Sequence, residues 1–425
     1  MPGAHLAAAK AALIQAQENY SAQVGTLFPV VTGNFSAVRQ RFSPNQFGGS
    51  STGPIGSRIF NLFNTNVSVA YTLDVFGGLR RQIEAAGALV DNQQFELEAA
   101  FLTLSSNIVT TAITLASLKA QRDATHDLIK SQQNSLVLVK KQFELGGISK
   151  ADVFLQENQL AQTQASLPPI EQGISENLHA LSVLIGELPR EQDLPVFDLN
   201  HLHLPTNIPL SCPSAFVRQR PDIRAAEALL HSASAQIGVA TANMFPQITL
   251  NALYGQQSQT LSRLFKASNN IWTLGAAAAQ PIFSGGTLTA QRRMAIAAYE
   301  QAAAQYKQTV LQAFQNVADT LRALQHDAQL LKAQRMAEIT AQDSLNITRQ
   351  QFRLGGINYL NLLIAERLYQ QARISRIQAQ AARYTDTAAL FQALGGGWWN
   401  RCRLDNDPLL RANVRGYSPR CFGQS

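Results

Sequence analysis

The sequence predicts a mainly α-helical chain that carries transmembrane β-strands, and three observations predict it. A motif occurs twice: Gln142 to Ser149 reads QFELGGIS and Gln351 to Asn358 reads QFRLGGIN, 209 residues apart in a chain of 425. Apolar and polar residues alternate from Phe63 to Val75. Two long Pro-free stretches, Gly78 to Gly146 and Gly286 to Gly355, carry apolar residues in steps of three and four. An offset this large is no solenoid unit, so it marks two copies of one large motif.

The elements follow in order. Residues 4 to 27, rich in Ala and Gln, read as a helix that ends before Phe28-Pro29. Residues 29 to 42 mix Val, Thr, Phe and Arg in near alternation, and a loop of Gly, Ser, Pro and Asn spans Ser43 to Ser57. The clearest strand comes next. Phe63, Thr65, Val67, Val69, Tyr71, Leu73 and Val75 are mostly apolar, whereas Asn64, Asn66, Ser68, Ala70, Thr72 and Asp74 are small or polar. Period two gives one oily face and one wet face. The run exceeds the ~5–6 residues of a usual strand and suits a barrel strand tilted across a bilayer. A long amphipathic hairpin in a soluble sheet is the alternative.

Phe76-Gly77-Gly78 turns the chain into a helix whose stripe includes Leu97, Phe101, Leu104, Ile108, Leu115 and Leu118, the narrow seam of a coiled coil. Gly78 to Gly146 is 68 residues, or about 100 Å of helix. A return helix is predicted from Lys150 to Leu188. The connector from Pro189 to Pro213 also holds Pro195, Pro205 and Pro209, so it cannot be one helix.

The second half repeats this order. A helix from Ser214 to Asn243 precedes Phe245-Pro246, and Ile248, Leu250, Ala252 and Tyr254 mark a strand. A polar loop is read from Gly255 to Asn270 and a second strand from Ile271 to Phe283. Ser284-Gly285-Gly286 opens the second long helix, with 69 residues to Gly355. Its return runs from Tyr359 to Leu394, before Gly395-Gly396-Gly397-Trp398-Trp399. The repeats are therefore residues 1–213 and 214–399, followed by a basic tail, 400–425. Their β-hairpins lie at about 29–76 and 246–284, and their helical hairpins at about 78–188 and 286–394. Two strand pairs cannot close a barrel, and an open edge cannot sit in lipid, so several chains must close it together.

The net charge of +7 owes much to Arg401, Arg403, Arg411, Arg415 and Arg420, which read as a solvated tail without a nucleic-acid motif. Cys212, Cys402 and Cys421 make no metal pattern, although an oxidising compartment would allow Cys402 and Cys421 to pair. His201-Leu202-His203 is a close histidine pair with no carboxylate cluster. It reads as a solvated loop, with metal binding from a strand as the alternative. Neither Gly-Gly is followed by Lys-Ser/Thr, so there is no phosphate loop. No catalytic constellation and no cofactor are expected. No unbroken apolar run approaches the ~18 residues of a membrane-spanning helix. The start, MPGAHLAAAKAALIQAQ, reads as an Ala-rich helix and not as an export signal.

The motifs RPDIRAAEALL, ANMFPQITL, QPIFSGG, LPPIEQ, the paired LGGI and QARISRIQAQAARYTDTAALFQALGGGWW resemble the TolC/OprM-type outer-membrane efflux channels, in their NodT-like lipoprotein branch. The resemblance covers residues 4 to about 399. It implies a homotrimer in which each chain gives four strands to one twelve-stranded outer-membrane β-barrel. It also implies a long α-helical coiled-coil barrel that forms a periplasmic tunnel. The implied role is passive exit of drugs, toxic compounds or metals. An inner-membrane pump of the resistance-nodulation-division type would deliver them through a periplasmic membrane-fusion adaptor.

By the same resemblance, Leu145, Gly146, Gly147 and Ile148, with Leu354, Gly355, Gly356 and Ile357, are the tips that meet the adaptor. A turn without a partner is the alternative. The family's tunnel-gate carboxylate falls at Ile364, with polar Asn361 nearby, which departs from a charged gate; an apolar ring can gate by dewetting. Asp152 could supply charge beside the first tip, or serve as a carboxylate favoured by the helix macrodipole. The family begins with a secretion signal and a lipid-bearing Cys, so a lipid anchor is expected of the full-length form. Two other functions stay open: the same fold in a type I polypeptide secretion system, and a soluble coiled-coil structural protein.

Overall fold

The computed structural model describes residues 4–41, 59–189, 197–199, 201, 202, 204 and 218–398. The loop from Ser43 to Ser57, the C-terminal tail, the three cysteines, His203 and most of the Pro-spaced connector lie outside them. The elements are α1 (Ala4–Gly25), β1 (Val30–Arg41), β2 (Ile59–Leu73), α2 (Gly78–Glu144), α3 (Lys150–Ala165), α4 (Leu167–Ile185) and α5 (Pro221–Ala242). They continue with β3 (Gln247–Ser258), β4 (Asn270–Ala279), α6 (Thr287–Arg353) and α7 (Tyr359–Ala393). The two long helices, α2 and α6, have 67 residues each.

The chain forms two compact units, and they do not coincide with the repeats. One is built on residues 94–224 and the chain from 307 onward, the other on 12–93 and 225–306. Each unit draws on both halves because equivalent pieces of the two repeats pack on each other.

The unit built on 12–93 and 225–306 holds an antiparallel sheet in the order β1-β2-β3-β4. Register aligns Val31, Val69, Ala252 and Leu274 in one rank and Gly33, Val67, Tyr254 and Trp272 in the next. Alternation puts both ranks on one face. Val31, Val67, Tyr254, Trp272 and Leu274 are 50% to 76% exposed, so the described residues leave this oily face uncovered. The opposite face carries Thr32, Ser68, Leu253 and Thr273 in one rank and Asn34, Asn66, Gly255 and Ile271 in the next. Asn34 Nδ2 donates to Asn66 Oδ1 at 3.2 Å and to Ser68 Oγ at 3.3 Å. In these ranks the oily face spreads across four strands, whereas the wet face is interrupted by Leu253 and Ile271.

Three boundaries differ from the sequence reading. The strand read to Val75 stops at Leu73, because the Asp74 carboxylate accepts the Leu79 and Arg80 amides, both at 3.0 Å, and so starts α2. The strand read to Phe283 stops at Ala279, since Pro281 has no N–H to give a ladder. Gly255, read as the start of a loop, lies inside β3 opposite Asn66. A Cβ there would sit 2.4 Å from the Thr65 carbonyl oxygen and 2.5 Å from Asn66 Cβ. Glycine marks close backbone approach at this point, where the two repeats join.

The other unit is helical. The return helix read as continuous from Lys150 to Leu188 is interrupted at Ser166, because Pro168 and Pro169 lack N–H groups and occupy the first turn of α4. Gly186, at φ 90°, ends α4. Arg220 is 8% exposed and grips Asp222 through Nε at 3.0 Å and Nη2 at 2.7 Å. Its Nη1 donates to the carbonyl of Ala393, the last residue of α7, at 2.9 Å. The Arg-Pro-Asp motif therefore ties the start of α5 to the end of α7.

The sequence has no unbroken apolar run of membrane length, yet α2 contains one 18-residue window that is long and apolar enough to cross a membrane, 17% of it buried within the chain.

Replacing Gly255 by Ala is expected to weaken the β2–β3 seam by about 1–3 kcal/mol, the usual penalty of overpacking. A lower unfolding temperature in detergent, with β-sheet circular dichroism lost first, checks it.

Candidate functional site

Both candidate tips are built by the same backbone device. At the end of α2, Gly147 N–H donates to the Gln142 carbonyl at 2.8 Å and Gly146 N–H to the Phe143 carbonyl at 2.9 Å. At the end of α6, Gly356 bonds Gln351 at 2.9 Å and Gly355 bonds Phe352 at 3.0 Å. These are paired Schellman endings, which need a left-handed residue just past the helix. Gly146 and Gly355 supply it at φ 74° and 75°.

The return helices then start on side-chain caps. Ser149 Oγ accepts the Asp152 amide at 3.3 Å, and Asp152 Oδ2 accepts from Ser149 N–H at 3.1 Å and Ser149 O–H at 2.7 Å. This is a complete capping box. Asn358 Oδ1 accepts the Asn361 amide at 3.1 Å at the corresponding place on α7. Asp152 and Asn361 are thus the same position in the two repeats. The Asp152 carboxylate is engaged in starting α3, the arrangement expected of a helix-terminal acid.

The eight tip residues are not equally placed. Leu145 and Leu354 are each 87% exposed. Ile148 packs against a core of Val139, Val153, Leu345, Tyr359, Leu362 and Leu363, and Ile357 is half-buried. Phe352 lies 5.4 Å from the Tyr359 ring, centroid to centroid. Ile364 is 42% exposed and Asn361 is exposed one turn before it. His201 Nδ1 lies 3.4 Å from Asp198 Oδ2, and its pair His203 falls outside the described residues.

Beneath the tips runs a polar line, buried at Gln132, Gln156, Tyr359 and Glu366 and half-exposed at Arg349, that the sequence reading missed. Tyr359 Oη donates to Gln156 Oε1, and Gln156 Nε2 donates to the Gln132 carbonyl at 2.9 Å. Arg349 Nη2 donates to Ser131 Oγ and to Glu366 Oε1, both at 3.1 Å. Gln156 is 0% and Glu366 2% exposed. Burial pushes the Glu366 carboxyl above its ordinary value, against the lowering effect of Arg349. Burial, with the Glu366 and Asp152 charges, likewise raises the Tyr359 hydroxyl. A signal for Glu366 existed: it stands four residues after Leu362 and three after Leu363, inside the apolar stripe.

Residues 4–187 and 213–396 each match the family model of the outer membrane efflux proteins, two stretches whose starts lie 209 residues apart, the offset of the tips. The chain belongs to that family. This efflux protein is 30% identical over 389 residues to a toluene efflux pump outer membrane protein, TtgF of Pseudomonas putida, covering 91% of this chain and 78% of the relative. It is 29% identical over 394 residues to the pyoverdine export outer membrane protein OpmQ of Pseudomonas putida KT2440, with 92% and 83% covered. The solved structure of the outer membrane protein VceC from Vibrio cholerae superposes with a TM-score of 0.84 at 26% identity, over 92% of this chain and 93% of that one. The protein is an outer-membrane efflux channel, and the soluble coiled-coil alternative falls.

Gly355→Ala is expected to cost the second tip about 1–2 kcal/mol, the penalty of a left-handed Cβ. Gly356→Ala should be close to neutral, since its added Cβ meets nothing nearer than the Gln351 carbonyl at 3.5 Å. Amide exchange of the tip in the two variants checks the difference.

Proposed function

We propose that the chain is the exit duct of a tripartite efflux system, a homotrimer that passively conducts small molecules handed on by an inner-membrane pump and a periplasmic adaptor. The observation that carries this reading is the four-stranded sheet with one uncovered oily face. Among the described residues the outer edges of β1 and β4 have no strand partner. Backbone groups in lipid must be paired, and a ring of copies joining β1 of one to β4 of the next pairs them. The similar chains are named for toluene, pyoverdine and cations, three unlike cargoes. That range supports a passive duct whose cargo is chosen by a pump, here of the resistance-nodulation-division type.

Within this reading Leu145 and Leu354 are the apolar anchors offered to the adaptor's helical hairpins, and the Gly-Gly pairs set their presentation. Ile364, with Asn361 beside it, forms an apolar gate ring that closes by dewetting. Asp152 acts as a cap and leaves the gate uncharged. The channel catalyses nothing, and the energy for export comes from the pump.

Light scattering of the detergent-purified protein, with the detergent subtracted, is expected to give a trimer. A monomer soluble without detergent would remove the barrel. Replacing Gly355 and Gly356 together by Ala is expected to impair export several-fold while leaving the trimer yield intact, with Gly355 responsible for most of the effect. Unchanged export would end the claim that the Gly-Gly pair sets how the second tip is presented to the adaptor.

A further inference from the structure

The polar line under the tips contains a carboxyl that neither docking nor gating uses. Glu366 Oε1 accepts from Arg349, but Oε2 is buried and has no hydrogen-bond partner. From Arg349 the line passes to Ser131 on α2. The adjoining Gln132 gives its carbonyl to Gln156 on α3, and Gln156 receives Tyr359 on α7. Gln132 Oε1 is likewise buried without a partner. The line thus joins α2, α3, α6 and α7, and it holds two spare acceptors. An ionised carboxylate only accepts, whereas a protonated one brings a donor of its own. Sealing an ionised oxygen from water without a second hydrogen bond is the costlier arrangement.

We propose that Glu366 is a proton-responsive latch: its protonated carboxyl holds the ends of α2, α3, α6 and α7 packed together, and its ionisation loosens them. The charged group that acts on it is Arg349 from α6; Glu366 itself acts on Tyr359 of α7, as does Asp152 of α3. On α2 the neighbour is the uncharged Ser131. Because burial raises the Glu366 carboxyl, the packed form holds the proton more tightly than a loosened, hydrated form. Acid therefore favours packing. Below the ordinary value of 4.5 both forms are protonated and pH has no further effect. As pH rises from there, the loosened form gains. An efflux duct so built is tight in acid and easier to open near neutrality.

A second carboxyl pair must be kept apart from this one. Burial, followed by the Asp386 carboxyl of α7, pushes Asp327 of α6 up to about 6, which makes it a separate source of pH response.

The test follows amide exchange of peptides from 349–369, corrected for intrinsic pH dependence, and conductance in planar bilayers, from about pH 5 to about pH 8. Full-length channel is compared with Glu366→Gln and Asp327→Asn. Protection in the unmodified channel is expected to fall by about tenfold or more across the range. Glu366→Gln should hold it flat, and Asp327→Asn should leave the fall in place. If the glutamine variant does not assemble, Glu366→Met serves the same comparison. A flat profile in the unmodified channel, or an equal fall in the Glu366 variant, overturns the latch. The conductance arm rests on the Ile364 ring being the gate, whereas the exchange arm does not. Exchange that follows Glu366 without any change in conductance keeps the latch and rejects that gate.

Discussion

The constraint on which the rest depends is the need to pair backbone N–H and C=O groups inside a bilayer. A four-stranded sheet meets that need internally along β1–β2, β2–β3 and β3–β4, and among the described residues leaves it open at both outer edges. The oily face bearing Val31, Val67, Tyr254 and Trp272 has no cover among the described residues, so it is suited to lipid tails. The seam β2–β3 joins the two repeats and relies on a missing side chain at Gly255. Duplication alone would have produced two hairpins; close approach at this seam makes them one sheet.

A different balance governs the helical unit. Its long helices carry Ala and Gln in place of a broad apolar face, so a few specific ties matter more than bulk burial. Arg220 is one, bonding the Asp222 carboxylate near the start of α5 and a carbonyl at the end of α7. The line from Glu366 to Tyr359 is another. Charge-assisted hydrogen bonds are stronger than neutral ones, and low dielectric strengthens them further. The same burial makes an unpaired oxygen costly, so a tie of this kind responds to protonation where an apolar core would not. Stability and responsiveness thus reside in the same side chains.

At the tips, chemistry is divided between backbone and side chain. Positive φ at Gly146 and Gly355 lets each helix end within a few residues, and the Ser149 and Asn358 caps start the next. Leu145 and Leu354 are left outside these turns and exposed. At the equivalent positions the side chains differ: the Asp152 carboxylate accepts from Ser149 and completes the cap, whereas Asn361 donates its backbone N–H to Asn358 Oδ1.

By itself the sequence determined the duplication, the alternation of the strands and the matched long helices, because each is a periodicity along the chain. It also determined where the tips fall, since Gly-Gly after a helical stripe is local chemistry. The resemblance carried the step to an efflux channel, and the family match at the same 209-residue offset established it. Only the tertiary structure decided that β2 pairs with β3 and that Gly255 belongs inside a strand. The break at Ser166 was legible in Pro168-Pro169, but the helical stripe on either side masked it. The Glu366 line was hidden for a deeper reason. Its members lie on four helices, separated by up to 235 residues from Ser131 to Glu366, and nothing along a chain records which polar groups will meet when water is excluded.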